Sequence, residues 1–245
     1  MVIKNSKTFN IGALFAITFL GVLFTIFSPV FQGKNGLEFA DESFNKLAKG
    51  SSYFIPKVAK NNEEFMGKAF SVTIKTEKPE DKPGEGEKRA ENIAKVFSTA
   101  GAKAEVNGAM VKIEGDLGKV LASALQDADA MFQNDGAKIK ARYNTDDEKK
   151  MFRQWHNGLS RINKEFDKEK KIVESKMVNE VVKKAIEPAY NFYKIDSNKV
   201  SEHAGMLSGL LVFYVFYTMW WGYAIFYMFE GFGLTMKKAK VKKEA

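Results

Sequence analysis

Cysteine is absent from the chain. That excludes disulfides, thiolate metal sites, cysteine-ligated iron–sulfur clusters and covalent c-type haem attachment. With two histidines, metal ligation and imidazole chemistry have few places to occur. No G-x-S-x-G, H-E-x-x-H, Walker A or G-x-G-x-x-G pattern occurs. Charge is missing from two stretches, 11–28 and 204–229. Those two gaps organise everything else.

Residues 11–28 (IGALFAITFLGVLFTIFS) form a helix about 27 Å long, close to the bilayer hydrocarbon thickness of about 30 Å. The second stretch, AGMLSGLLVFYVFYTMWWGYAIFYMF, is longer and needs tilt or projection into the headgroups. The first run ends in SPVFQGKNG, without a small-x-small cleavage site, so it reads as an anchor rather than a signal peptide. The expected arrangement is a cytoplasmic N-terminus (1–10), a first span (11–30), a second span (204–232) and a basic cytoplasmic tail (233–245).

Orientation follows from lysine. Lys4 and Lys7 precede the first span, and Lys237, Lys238, Lys240, Lys242 and Lys243 follow the second. Set against Glu244, these flanks hold +6 of the formal +8. Basic residues in short flanks stay cytoplasmic, while long loops cross regardless of charge. Both termini are therefore expected in the cytoplasm of a two-pass inner-membrane protein, with the intervening domain periplasmic. The loop has no dense basic patch interleaved with aromatics, which argues against nucleic acid. The lysine-rich tail reads as a stop-transfer flank rather than a lipid-binding switch.

The domain begins with helical stalk segments over 34–68, interrupted at Gly50-Ser51-Ser52 and reopened at Pro56. The period then changes to two. Phe70, Val72 and Ile74 alternate with Ser71, Thr73 and Lys75, as in a half-buried strand. EKPEDKPGEGE is a solvated loop. Ala90, Ile93, Ala94 and Phe97 mark a helix that Gly101 stops. Residues 102–115 read as a hairpin turning at Asn107-Gly108. Asp116 caps a helix with a stripe through Val120, Leu121, Ala124, Leu125, Ala128, Met131 and Phe132. Ala137, Ile139, Ala141 and Tyr143 alternate as a fourth strand. This β-α-β-β-α-β order over 69–144 is that of a ferredoxin-like domain.

Residues 146–195 read as a long helix, with Phe152, Trp155, Leu159, Ile162 and Phe166 in a heptad seam. The seam falters at Glu169 and resumes loosely at Val173. It needs a cover, supplied by the helices of 37–65, a second copy or another subunit. The fold class is thus an α+β membrane protein: two transmembrane helices flanking a ferredoxin-like head and a long stalk helix. In architecture alone, this order resembles that of the alignment proteins of type IV pili and secretion machines. Those chains end at the head, and no motif here assigns the protein to their family.

Candidate chemistry is sparse. His156 has no convergent ligand set, and His203 sits at the outer mouth of the second span, so both read as structural or interfacial. Asp127 and Asp129 are two apart on a helix and do not face each other. No catalytic, cofactor-binding or metal-binding residue is assigned. The second span is the unusual element. Aromatic belts ordinarily sit at the two interfaces, yet rings run from Phe213 to Phe229 through its middle. Tyr214, Tyr217, Trp220 and Trp221 stand out, with Gly205 and Gly209 in GxxxG spacing. This suits packing against other membrane subunits, in preference to a quinone, haem or lipid tail. The expected function is a non-catalytic accessory or scaffold subunit of a larger membrane complex, its partners being other subunits, a second copy and the bilayer. The alternatives are a membrane-anchored sensory or ligand-binding module, and an envelope assembly protein that self-oligomerises through the long helix.

Overall fold

In a computed structural model describing residues 3–234, the chain divides into two compact units. One comprises residues up to Phe44 together with those from Asn198, and the other runs from Asn45 to Ser197. The expected basic tail lies almost wholly outside the described residues.

The first unit is a helical hairpin. α1 (Ser6–Phe27) and α10 (Ala204–Gly231) are long apolar helices, each able to cross a membrane by length and composition. They run antiparallel, because the amides of Lys4 and Asn5 both donate to the carbonyl of Gly231 at 2.9 Å. Close approach occurs at two glycines. A Cβ on Gly12 would lie 2.6 Å from the Met228 amide, and one on Gly231 would lie 2.6 Å from the Phe9 Cβ. Side chains there would push the helices apart. Gly12 on the first helix and Gly231 at the end of the second, rather than Gly205 and Gly209, make the hairpin's tightest contacts. Phe19 stacks on Tyr217 at 4.1 Å and lies 4.7 Å from Trp221.

After α1 the chain reverses at Gln32 and Gly33, whose φ angles are +56° and +81°. Phe31 and Lys34 exchange both backbone hydrogen bonds at 3.0 Å, as across a tight two-residue turn. α2 (Gly36–Ser51) follows. Its start is capped reciprocally: Asn35 Oδ1 accepts from the Glu38 amide, and Glu38 Oε2 accepts from the Asn35 amide.

The second unit holds a small sheet and most of the helices. Pro56 opens α3 (Ile55–Asn62), as expected. β1 (Ala69–Lys75), β2 (Lys103–Asn107) and β3 (Met110–Asp116) form an antiparallel sheet in the order β1-β3-β2. Val72 pairs with Ile113 and Val106 with Val111. α4 (Glu85–Thr99) links β1 to β2, and α5 (Leu117–Phe132) follows β3 with Asp116 as its cap, accepting from the Lys119 amide. The hairpin turns one residue later than expected. Asn107 stays in the strand, paired with Met110, and Gly108 takes the first turn position at φ +55°, the place glycine fills in a type II′ turn.

The expected fourth strand is instead a helix, α6 (Gly136–Tyr143). The sequence GAKIKARY fits both periods. Ile139 and Tyr143 are buried, four residues apart, while Ala137 and Ala141 are exposed. Alanine, lysine and arginine favour a helix, and the two alanines were the only support for alternation. Among the described residues the sheet therefore has three strands, and the ferredoxin-like order is not completed.

The expected long helix is likewise divided. α7 (Glu148–Lys168) ends at a turn where Lys170 takes φ +58°, and α8 (Ile172–Val181) runs back along it. Ser175 on α8 donates to Asn163 and Asp167 on α7. A π-helical turn (Val182–Ile186) joins α8 to α9 (Glu187–Asn191). In place of one continuous stalk helix there is a helical hairpin packed into the domain.

Candidate interaction surface

The seam residues come together in the core. Phe152, Trp155, Leu159, Ile162 and Phe166 are all fully buried. Their cover is the domain itself: Phe166 meets Phe70 of β1 edge-on at 6.2 Å, and Trp155 meets Phe97 of α4 at 5.1 Å. Gly158 permits this approach, since a Cβ there would lie 2.4 Å from the Phe97 ring. The seam needs neither the 37–65 helices nor another chain to bury it.

Beneath the seam lies a polar node absent from the sequence reading. Asp127 on α5 is buried. Its carboxylate accepts from Trp155 Nε1 at 2.8 Å, from Arg142 Nη1 at 2.6 Å and from the Tyr143 hydroxyl. Burial, followed by the charge of Asp127, holds the Tyr143 pKa well above its ordinary value. A buried carboxylate that accepts three donors and pairs with a guanidinium is stabilised against its desolvation. The clue was positional. Asp127 falls three residues after Ala124 and four before Met131, on the apolar stripe rather than opposite it.

A second node fastens the two ends of this domain. Lys49, only 2 % exposed, donates to the carbonyls of Ile195 at 2.6 Å and Phe192 at 3.2 Å, and to Asn134 Oδ1 at 3.0 Å. Asn134 in turn donates to the Ile195 carbonyl and accepts from the Lys194 amide. Burial pushes the Lys49 pKa down, opposed by Asp196. This cation caps carbonyls just beyond α9, where a helix end otherwise leaves acceptors unfilled.

His156 meets Glu187 at 3.4 Å across the α7–α9 contact. Among the described residues no three His, Asp or Glu side chains converge in the manner of a metal site. His203 closes the short 3-10 turn before α10 and makes no capping hydrogen bond.

On α10 the singled-out residues separate into two groups. Tyr217 and Trp221 face α1, with the Tyr217 hydroxyl donating to the Phe19 carbonyl at 3.3 Å. The Trp220 Nε1 is buried without an acceptor among the described residues. Tyr214 is 64 % exposed on one flank of α10, and Phe216, 67 % exposed, lies on the opposite flank with Gly209. Cβ atoms on Gly205, Gly209 or Gly222 would meet nothing within 4 Å. The GxxxG pair therefore does not serve the hairpin, and its face carries open backbone next to large exposed rings. No family model matches the chain, and the comparisons with curated proteins and with solved structures found no match.

Proposed function

We propose that this protein is a non-catalytic accessory or scaffold subunit of a larger membrane complex. In this reading α1 and α10 span the inner membrane, both termini are cytoplasmic and residues 28–203 project into the periplasm. The single observation that supports it best is the division of α10. One side is used by α1, while the face bearing Gly205 and Gly209 leaves Val212 and Phe216 exposed. Small residues admit a neighbouring helix closely, and rings beside them supply contact area. The lysine-rich flanks support the orientation.

The alternatives draw less support. A sensor that transmits motion along one continuous helix has no such helix, because α7 ends at Lys168. Self-assembly through the α7 seam lacks an exposed seam.

Photo-crosslinking tests the proposal. A photoreactive amino acid replacing Phe216 in native membranes should form adducts with another protein subunit. The same residue replacing Phe19 should give only intrachain products. Lipid adducts alone from position 216 would contradict the reading.

A further inference from the structure

Beside the turn from α1 into α2 lies an apolar cavity of about 440 Å³. Val22 and Ile26 wall it from the end of α1, Phe31 and Phe39 from the turn and the start of α2, and Leu210 and Phe213 from α10. These walls are held in place. The two-residue turn at Gln32-Gly33 fixes where α2 begins, and a Cβ on Gly36 would lie 3.0 Å from Ile26 Cγ2. The Phe31 and Phe39 rings stack at 5.8 Å.

The polar atoms in the lining are Thr25 Oγ1 and Ser43 Oγ, and both protons are committed. Thr25 donates to the Gly21 carbonyl at 3.0 Å and Ser43 to the Phe39 carbonyl at 2.8 Å. A quinone ring or a polar headgroup would bring carbonyl or phosphate oxygens that need donors, and burying them without donors is costly. A hydrocarbon chain needs none.

Size excludes a protein segment. A helix with side chains is about 10–12 Å across, so 440 Å³ accommodates less than about one turn of it. The volume falls within the range of about 300–1,000 Å³ typical of small-molecule sites. The cavity lies at the ends of α1 and α10 remote from the chain termini. If these helices span the bilayer, as proposed above, that is the border between acyl chains and headgroups.

We infer that this cavity is a lipid site that takes one acyl chain of a bilayer phospholipid. The chain lies against Phe39 and Phe213, and the start of α2 acts as its lid. Filling the cavity removes apolar surface from contact with water at the interface and fixes α2 on the hairpin.

The test uses the full chain in phosphatidylethanolamine–phosphatidylglycerol vesicles containing a trace of phospholipid with a mid-chain diazirine. After irradiation, adducts are mapped by peptide mass spectrometry. Adducts at the lining residues Val22, Ile26, Phe39, Leu210 and Phe213 should exceed those at the outward residues Leu211 and Phe216 several-fold per residue. Ala40→Trp, which fills the cavity, should lower the lining adducts several-fold and leave those at Phe216 unchanged. Phe213→Ala, which enlarges it, should raise them. Labelling that is even over all faces and indifferent to both substitutions would overturn the site while leaving the spans intact. Absence of adducts at Leu211 and Phe216 as well would overturn the membrane reading itself.

Discussion

Trp155 Nε1 donates to Asp127 Oδ2 at 2.8 Å, with both side chains buried. The bond joins the middle of α7 to the middle of α5, and Arg142 and Tyr143 bring α6 to the same carboxylate. Three helices thus meet at one charge. Trp155→Phe keeps most of the ring volume but removes a donor, and should cost about 1–3 kcal/mol. Trp155→Ala also opens a cavity and should cost at least about 3–5 kcal/mol. Asp127→Ala leaves Arg142 without its partner and should cost about 3–5 kcal/mol. Urea unfolding followed by circular dichroism measures all three.

Those measurements are cleanest on the domain alone. Residues 45–197 form their own compact unit, with a core running from Ile55 to Tyr193. Expressed without the spans, this fragment should be soluble and unfold cooperatively. A fragment that melts without a transition would show that the domain depends on the hairpin.

Gly158→Ala sets two effects against each other. Alanine improves helix propensity by about 1 kcal/mol. Its Cβ, however, would stand 2.4 Å from a Phe97 ring that is fully buried and has nowhere to move. Overpacking of this kind costs about 1–3 kcal/mol or more. The expected net result is destabilisation, and a rise in melting temperature would show that the α4–α7 contact is looser than described.

Acid stability should depend on Glu148. The Tyr193 hydroxyl donates to it at 2.8 Å, its own backbone amide adds a further hydrogen bond, and Lys194 and Lys140 each lie 3.4 Å away. Together they pull its pKa from 4.5 to about 2. The depressed value means that its contribution is present above about 4.5 and is lost as pH falls towards about 2. Glu148→Gln should lower stability at pH 7 and flatten its decline across that window. Asp81, held near 2 by Arg89, titrates in the same range, so the decline should become shallower without vanishing. An unchanged slope would contradict the role of Glu148.

The two long apolar helices, β1, α4, α5 and the helix opened by Pro56 were legible because each carries an unambiguous run, period or cap. Failures occurred where residues served two periods or gave no signal. Ala137 and Ala141 alternate with Ile139 and Tyr143, yet alanine is indifferent to burial, and the spacing of the two large residues also suits a helix. The break at Lys170 lies in the run DKEKK, with no glycine, asparagine or proline to announce a left-handed residue; only the faltering seam at Glu169 hinted at it. The seam itself was read correctly as apolar, but periodicity cannot say whether its cover lies in the same chain. On the candidate surface, sequence picked out the aromatic crowding of α10. It could not divide those rings between α1 and the outward face, because that depends on how the two helices are rotated about each other. Gly12 belongs to no GxxxG pair, yet it meets the other helix where Gly205 and Gly209 do not.

An outward glycine of α10 and the inward glycine of α1 give a direct comparison between the two helices. Gly209→Leu places a bulky side chain where a Cβ now meets nothing, whereas Gly12→Leu drives one into the Met228 and Ala224 backbone. Gly209→Leu should leave the hairpin folded and weaken association with a partner. Gly12→Leu should disrupt the hairpin itself, which protease accessibility of detergent-solubilised protein would report.

Gentle solubilisation of native membranes, a native gel and mass spectrometry of whatever travels with the chain test the central claim most directly. The expected result is co-migration with other membrane subunits, lost in Gly209→Leu. Migration of the wild-type chain alone at every concentration would contradict an accessory role.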